Sequence, residues 1–411
     1  MSQHELSLDI YKQALELLRI GNRAVKRAQM ENRKKGIPNV YSYNGKLYYE
    51  LPNGELTQED PSENRRSSMA NQTDASHVED SQLADWESVQ KQPDWKGILI
   101  GNGSSRAVWD EFKYDSLYEK AKSPDIDHPL SSQDQEIFKA MSTTNFEAVL
   151  QALSTAETVC TILNQDVHAI QERYESIQRA LVEAVHAVHI PWASVEKDML
   201  LKIREALRAF QFVYSTNYDL LVYWAFMAKD NGDGFVDYFF KSERFDVTDT
   251  KVYSDQKTRI FYLHGALHLY RLPSGGTLKR RANLYENLLD LFGTPYTENA
   301  VPLFITEGTS RDKLASIYRS DYLSFAYAQF SQHEGPLVVF GHSLSESDKH
   351  LIEAMQKWEK CPIAVSMLGD EPQEVVLRKA EFRRRFPQAD LIFFDAKTHP
   401  LGTPSLKISP S

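Results

Sequence analysis

Residues 97–105 read GILIGNGSS, and this segment is the strongest indication of the fold class. Its first four residues are an apolar run that predicts a buried strand, and the glycines predict a sharp turn into a helix. Glycine permits that turn and has no Cβ to block an anion, while a helix start offers free N–H groups to phosphate. The predicted phosphate-binding residues of this turn are Gly101, Asn102, Gly103 and Ser104. A glycine turn without any ligand is the alternative.

Further apolar runs alternate with helical stretches along the rest of the chain. They are FVYSTN (212–217), RIFYLHG (259–265), VPLFIT (301–306), PLVVFGHS (336–343), CPIAVSML (361–368) and ADLIFFD (389–395). Continuous apolar strands alternating with helices indicate a parallel sheet that is covered on both faces. The predicted fold class is therefore α/β, with a Rossmann-like parallel sheet, helices on both faces and a helical insertion at about 131–210.

The amino-terminal part differs in character from this sheet domain. Helical spacing of apolar residues predicts a helix over 5–34, and an Asn44-Gly45 pair between alternating strands predicts a β-hairpin. Residues 1–56 are therefore predicted to form a small helix-plus-hairpin accessory module. An acidic, polar linker is expected at 57–94, and the sheet domain at 95–411.

Composition restricts the classes of partner and compartment. The formal net charge of −10 disfavours non-specific nucleic-acid binding, because such a surface repels phosphate backbones. Cys160 and Cys361 cannot form a four-cysteine zinc ribbon, and so few cysteines favour a reducing compartment. The sequence shows neither a secretory leader nor an apolar run long enough to span a membrane. We therefore expect a cytoplasmic protein that does not contact a membrane.

Polar residues end the run at 212–217, where α/β sheets bind their ligands. Thr216, Asn217 and Asp219 lie at this strand tip, ahead of a predicted helix. Helix capping is the alternative role for these residues. Capping alone does not require an Asn and an Asp two positions apart, so a functional role is favoured.

His264 closes the run at 259–265 in the same way. Its pKa range suits a base or an anchor for a ribose hydroxyl, while a structural histidine in the core is the alternative. His268 follows four residues later, but on a strand the two would lie about 13 Å apart. No shared metal is therefore predicted.

The run at 336–343 ends in GHSLS, which approximates the nucleophile elbow of serine hydrolases but has Ser345 in place of the last glycine. Asp395 and His399 follow in hydrolase order, so a Ser343 hydrolase is one alternative. The other is that Gly341 and Ser343 line a second nucleotide edge, with Asp348 near the start of the next helix as its cap.

Together, the GNGSS loop, the STNYD and LHG strand tips and the GHSLSESD turn resemble the sirtuin superfamily, in the order that superfamily shows. More narrowly, they are similar to the bacterial sirtuin-like domains, many of which are NAD hydrolases in anti-phage defence. The likeness covers roughly residues 95–400. It also includes a helix start at Asn145-Phe146-Glu147 that is common among the bacterial relatives.

The resemblance implies a role for each matching residue. Gly101, Asn102, Gly103 and Ser104 would form the glycine-rich loop that contacts the pyrophosphate of NAD. Asn217 and Asp219 would lie beside the nicotinamide ribose, and His264 would be the catalytic histidine; these three are the predicted catalytic residues. Gly341 and Ser343 would lie on the adenosine side, and Thr216 and Asp348 are predicted as further cofactor-binding residues. The protein deacylases of the superfamily carry a four-cysteine zinc module that this chain lacks, so peptide deacylation is not expected.

The predicted function is that of an NAD+ glycohydrolase that uses NAD as its substrate, without a metal, and cleaves the nicotinamide–ribose bond. A constitutive enzyme of this kind would kill its host. We therefore expect a regulated effector of anti-phage defence (abortive infection), a homo-oligomer that responds to a phage or host activator, with residues 1–56 in that control. A nucleotide-sensing module without catalysis and the Ser343 hydrolase remain the alternatives.

Overall fold

The computed structural model describes residues 39–43, 46–50, 56–57, 81–91, 94–113, 117–240, 242–254, 256–282, 287–294, 300–305 and 309–408. The chain divides into two compact units, Met1–Asp80 and Ser81–Ser411. Of the helices that the structure describes, none combines the length and the hydropathy that crossing a membrane requires.

The first unit contains a three-stranded antiparallel sheet, β1 (Asn39–Tyr43), β2 (Lys46–Glu50) and β3 (Leu56–Thr57), in that order. Tyr43 pairs with Lys46, so β1 and β2 flank the two positions where the sequence predicts a hairpin turn. The turn residues Asn44 and Gly45, and the helix predicted over 5–34, lie outside the described residues.

The described residues of the second unit include ten strands. In chain order they are β4 (Gly97–Ile100), β5 (Phe212–Ser215), β6 (Phe235–Val236), β7 (Thr258–Tyr262), β8 (Gly265–Arg271), β9 (Thr277–Lys279), β10 (Val301–Phe304), β11 (Leu337–Phe340), β12 (Pro362–Met367) and β13 (Asp390–Asp395). Seven of them form one sheet in the order β13-β12-β11-β4-β5-β7-β6, and all neighbours are parallel. The Rossmann-like parallel sheet expected from the sequence is thereby confirmed.

Helices fill most of the connections in this unit. In chain order they are α1 (Trp86–Val89), α2 (Asn102–Val108), α3 (Leu117–Lys122), α4 (Ser132–Ala140), α5 (Phe146–Ile162), α6 (His168–Val188), α7 (Lys197–Arg208), α8 (Leu221–Met227), α9 (Leu288–Leu291), α10 (Ser310–Tyr318), α11 (Asp321–Ser331), α12 (Lys349–Met355) and α13 (Pro372–Arg385). Helices α4 to α7 occupy the range of the predicted helical insertion. Every residue of β4 and β11 is buried, and side chains of a strand alternate between faces, so both faces of the sheet are covered.

The order of the strands creates a crevice beside β4. After β4 the chain builds β5 and β7 on one side of it, and it later returns to build β11, β12 and β13 on the other side. In such sheets ligands bind outside the carboxyl ends of the strands, at the point where the order reverses. The turns that follow β4 and β11 meet at this point.

Two features differ from the sequence expectations. The run at 301–306 contributes β10 to a separate antiparallel sheet, in the order β10-β8-β9, because β8 follows β7 after a sharp turn at Gly265. The second unit also begins at Ser81, within the predicted linker of 57–94. Trp86 and Val89 of α1 are buried, and the Trp86 ring lies 5.0 Å from the Phe394 ring of β13, so this segment adds to the core.

Gly265 provides a test of the turn that separates the two sheets. Its φ of +77° is in the left-handed region, and a Cβ there would lie 2.1 Å from the carbonyl oxygen of Leu303. Gly275 has a similar φ of +85°, but its nearest neighbour would be 3.1 Å away. We expect Gly275→Ala to cost roughly 1–2 kcal/mol of unfolding free energy from backbone strain alone, and Gly265→Ala to cost clearly more. Urea unfolding measures both, and equal losses would contradict the packing argument.

Candidate functional site

The turns after β4 and β11 pack backbone against backbone. A Cβ on Gly101 would lie 2.7 Å from the Gly341 carbonyl oxygen, and one on Gly103 would lie 2.7 Å from the Gly341 Cα. The Gly103 amide donates a hydrogen bond of 2.8 Å to the Gly341 carbonyl, and Gly341 has a φ of +63°. These glycines therefore bring the two turns together, and the Gly103 amide is already engaged by protein. The Asn102 side chain donates to the Phe112 carbonyl at 3.0 Å.

Asn217 joins the carboxyl end of β5 to the first turn of α2. Its Nδ2 donates to the hydroxyls of Ser105 at 2.8 Å and Ser104 at 3.1 Å. The residue is 6% exposed, and its Oδ1 is buried without a hydrogen-bond partner among the described residues. A buried acceptor without a donor is unfavourable, so this oxygen is suited to accept a hydrogen bond from a ligand or a water.

Asp219 completes this group, which we call the asparagine cluster (Ser104, Ser105, Asn217 and Asp219). The Ser105 hydroxyl donates to Asp219 Oδ2 at 2.5 Å, and the Leu221 amide donates to Oδ1 at 2.9 Å. Burial raises the pKa of the Asp219 carboxyl, and the hydrogen bond from Ser105 opposes part of that effect. A chain of side chains thus runs from Asn217 through Ser105 to a buried carboxyl.

The raised pKa of Asp219 predicts a pH-dependent effect of Asp219→Asn on stability. A carboxyl with a higher pKa in the folded chain favours folding below the unfolded pKa of about 3.9, and this contribution is lost as pH rises through the folded pKa. Asparagine resembles the protonated form at every pH. We therefore expect Asp219→Asn to raise the free energy of unfolding at neutral pH, with the difference vanishing toward pH 4.

Urea unfolding of both proteins across this pH range measures the difference. Asp127→Asn, at an exposed position, controls for the loss of one negative charge. A variant that is less stable than the wild type at neutral pH, or a difference that does not change with pH, would show that burial of the carboxylate is not costly.

Thr216 is bound to the backbone of β4. Its amide and its hydroxyl both donate to the Ile100 carbonyl, at 3.0 and 3.1 Å. These bonds extend the pairing of β4 and β5 beyond their ends. The role predicted for Thr216 in binding NAD therefore has no free side-chain donor to support it.

His264 follows β7 and lies in a second group of polar side chains. Its Nε2 is 3.0 Å from Nε2 of His350, which lies in the first turn of α12. Nδ1 of His350 is 3.1 Å from the Ser310 hydroxyl at the start of α10. Burial, together with the charge of Lys313, lowers the pKa of His264 well below its usual range, and burial lowers that of His350 to about 4. Both imidazoles are therefore neutral near pH 7.

Asp348 provides the negative charge of this group, which we call the histidine cluster (His264, Lys313, His342, Asp348 and His350). Asp348 accepts a hydrogen bond of 2.8 Å from Lys313 Nζ, and both side chains are buried. Burial alone would raise the pKa of Asp348, but the nearby His342, His264 and Lys313 outweigh it and lower that pKa. Its side chain does not cap α12, so the capping role considered from the sequence is wrong.

Ser343 has the wrong geometry for a nucleophile elbow. In that motif the nucleophile occupies the strained position of the turn. Here the positive φ values belong to Gly341 and Leu344, and Ser343 is an exposed residue whose carbonyl accepts from Arg385. In the described part of the chain, no hydrogen bond joins Ser343 to Asp395 or His399. The His399 ring instead packs 4.7 Å from the Phe340 ring.

The structure thus places Asn217 and Asp219 in the asparagine cluster and His264 and Asp348 in the histidine cluster, while Thr216 and Ser343 belong to neither. The backbone contact between Gly103 and Gly341 lies next in sequence to members of both clusters, Ser104 and His342. Sequence patterns did not single out four of the residues involved, which are Ser105, Lys313, His342 and His350. Ser105 and His342 lie inside the GNGSS and GHSLSESD motifs, so the neighbouring motif residues were the sequence signal that could have identified them. Lys313 and His350 lie within predicted helices, and nothing local marks them.

Two cavities of the described structure were compared with the site, and neither is lined by Asn217, Asp219 or His264. A cavity of about 820 Å³ is lined by α1, α7 and the segment at 398–405, with none of the predicted site residues in its wall. A cavity of about 20 Å³ touches Ser104 and Ser105, which is room for roughly one water. Asn217 and Asp219 are 6% and 3% exposed, so direct contact between a dinucleotide and these side chains requires some opening of this edge.

Comparison with known protein families gives a match over the part of the chain that contains both clusters. The profile of a family described as a domain of unknown function (DUF4917) matches residues 98–401. The chain belongs to the DUF4917 family. The DUF4917 match runs from the second residue of β4 past the end of β13, so it spans the parallel sheet together with both clusters. No curated protein matches the sequence.

Proposed function

We propose that this DUF4917 protein is an NAD+ glycohydrolase that cleaves the bond between nicotinamide and ribose. The observation that carries the proposal is the position of Asn217. Its amide is tied to the glycine turn after β4, at the crevice where Rossmann-like sheets bind nucleotides, and its Oδ1 is a buried acceptor without a described partner. The likeness of the four motifs to sirtuin-like domains supports the choice of NAD.

The asparagine cluster would bind and orient the nicotinamide ribose. Asn217 Oδ1 would accept a hydrogen bond from a ribose hydroxyl, because its own Nδ2 is held by two serines. Asp219 would hold this arrangement through Ser105 and would favour the positive charge that develops on the ribose in the transition state. Preorganised groups of this kind lose little energy to reorganisation during the reaction.

His264 would accept the proton of the attacking water. In the reaction the C1′–N bond breaks and its electron pair leaves with neutral nicotinamide. The water oxygen bonds to C1′, and the water proton passes to His264. The His350 ring lies within 3.0 Å and could share that proton with His264. The products are nicotinamide, ADP-ribose and a proton.

The closed state of the edge supports a regulated enzyme. Asn217, Asp219 and His264 are only 6%, 3% and 3% exposed. Substrate access would then require a rearrangement, which a phage or host activator, or assembly into a homo-oligomer, could provide. Because the four motifs resemble those of bacterial sirtuin-like defence domains, we propose the role of an effector in anti-phage defence in the cytoplasm. Residues 1–56 would be the regulatory part.

The direct test is to incubate the purified chain with NAD, alone and with candidate phage lysates, and to identify the products by chromatography. Release of nicotinamide together with ADP-ribose is expected. Intact NAD under every condition, despite measurable binding of NAD, would overturn the glycohydrolase proposal.

That same outcome would favour a second candidate, a nucleotide-sensing module without catalysis. One observation supports it: Nε2 of the His264 imidazole is engaged by His350 and is therefore less available as a proton acceptor. Binding of NAD without release of nicotinamide separates this candidate from the enzyme.

A further inference from the structure

The histidine cluster contains a buried carboxylate, that of Asp348, to which the proposed hydrolysis gives no role. The ligand atoms of His264, Asp348 and His350 all lie within 4.8 Å of one another, and all three residues are buried. Two imidazole nitrogens and a carboxylate oxygen are a common donor set for divalent first-row transition metals.

The arrangement around these three residues also fits a metal site. Two nitrogens bound to one ion at about 2.0–2.1 Å each would lie roughly 3 Å apart, and the two Nε2 atoms are 3.0 Å apart. The other ring nitrogen of a ligating histidine is normally held by a hydrogen bond, and Ser310 lies 3.1 Å from Nδ1 of His350. Asp348 Oδ2 receives only a 3.4 Å contact from Ser345 in the described structure.

We propose that His264, Asp348 and His350 bind a divalent first-row transition metal ion. The ion is bound by Nε2 of both histidines and by the Asp348 carboxylate, with its remaining positions open to water or to a ligand. Metal binding takes the lone pair of His264 that would otherwise accept a proton. The cation therefore competes with the role given to His264 in NAD cleavage and acts as an inhibitor of it.

Lys313 opposes metal binding, and replacing it therefore provides a further test of the proposal. Its ammonium contacts Asp348 at 2.8 Å and cancels the negative charge of the site. A cation then meets two neutral rings and a compensated carboxylate. Lys313→Met removes the like charge, so we expect it to tighten metal binding, whereas a site without metal affinity would not respond.

The test is calorimetric titration of Zn²⁺ into the full chain after removal of metals with a chelator. We expect one bound Zn²⁺, and we expect His350→Ala to weaken its affinity by at least the roughly 10–100-fold that loss of an outer-shell partner costs. Ser310→Ala keeps all three ligands and is expected to weaken affinity within that range, so it stands in if His350→Ala does not fold. His168→Ala removes an exposed histidine that lies 3.5 Å from Glu172, and it should leave the affinity unchanged.

No Zn²⁺ binding by the wild-type chain would overturn the proposal. So would an affinity that falls with His168→Ala but not with His350→Ala and Ser310→Ala, since surface sites would then account for the signal. Part of the inference rests on the proposed function, namely the inhibition of NAD cleavage. Calorimetry measures the binding of Zn²⁺ and does not depend on NAD cleavage. A chain that binds Zn²⁺ but never cleaves NAD would therefore contradict only the proposed function.

Discussion

Asn217→Ala is expected to lower the rate of NAD cleavage by about 100-fold or more, because it removes the group that positions the ribose. The alanine cannot accept a hydrogen bond, and it also releases the hydroxyls of Ser104 and Ser105 from the Asn217 amide. His264→Ala should cause a loss of roughly 10²–10⁴-fold through the missing proton acceptor. Nicotinamide release, measured by chromatography with an activated wild-type sample, reports both rates.

Loss of stability has to be separated from loss of chemistry in this experiment. Asn145→Ala is the matched control, since Asn145 is also a buried asparagine, at 5% exposure against 6% for Asn217. Its side chain caps α5 through the Glu147 amide at 2.9 Å, so its removal should cost about 1 kcal/mol without touching the asparagine cluster. Full activity in Asn217→Ala, or an equal loss in Asn145→Ala, would refute the role of Asn217.

Arg271→Met is expected to lower the free energy of unfolding by about 3–5 kcal/mol. Arg271 Nη2 on β8 lies 2.6 Å from Glu147 Oε1 on α5, and the two side chains are 5% and 2% exposed. Without the arginine, a buried carboxylate loses the cation nearest to it. Burial raises the pKa of Glu147 and Arg271 opposes that effect, so the variant should recover part of its stability as acid protonates Glu147.

Two comparisons make this prediction specific. Arg378→Met breaks an ion pair with Glu374 whose members are 51% and 55% exposed, and such pairs contribute about 0–1 kcal/mol. Replacing both buried partners, as in Glu147→Leu with Arg271→Met, removes the charges together and should restore most of the stability. Urea unfolding measures all of these variants. A loss in Arg271→Met no larger than in Arg378→Met would show that the buried pair does not join α5 to β8.

Local patterns were sufficient to predict the parallel sheet, and they identified Ser104, Asn217 and Asp219 of the asparagine cluster but not Ser105. The apolar runs at 97–100 and 212–215 are each followed by polar residues, and the carboxyl ends of neighbouring parallel strands meet at one edge. Asn217 and Asp219 therefore come close to Ser104 even though more than a hundred residues separate them. The same logic failed for 301–306, since an apolar run does not state which sheet it will join.

The class of the fold and the edge of the sheet where polar groups gather can be read from the amino-acid sequence, because both follow from periodicity and from strand ends. The partners of His264 and Glu147 depend instead on three-dimensional packing. His350 and Arg271 lie on segments far away in the chain, and their approach depends on how α12 and β8 pack. Packing of this kind is a property of whole surfaces, so no local spacing of residues encodes it.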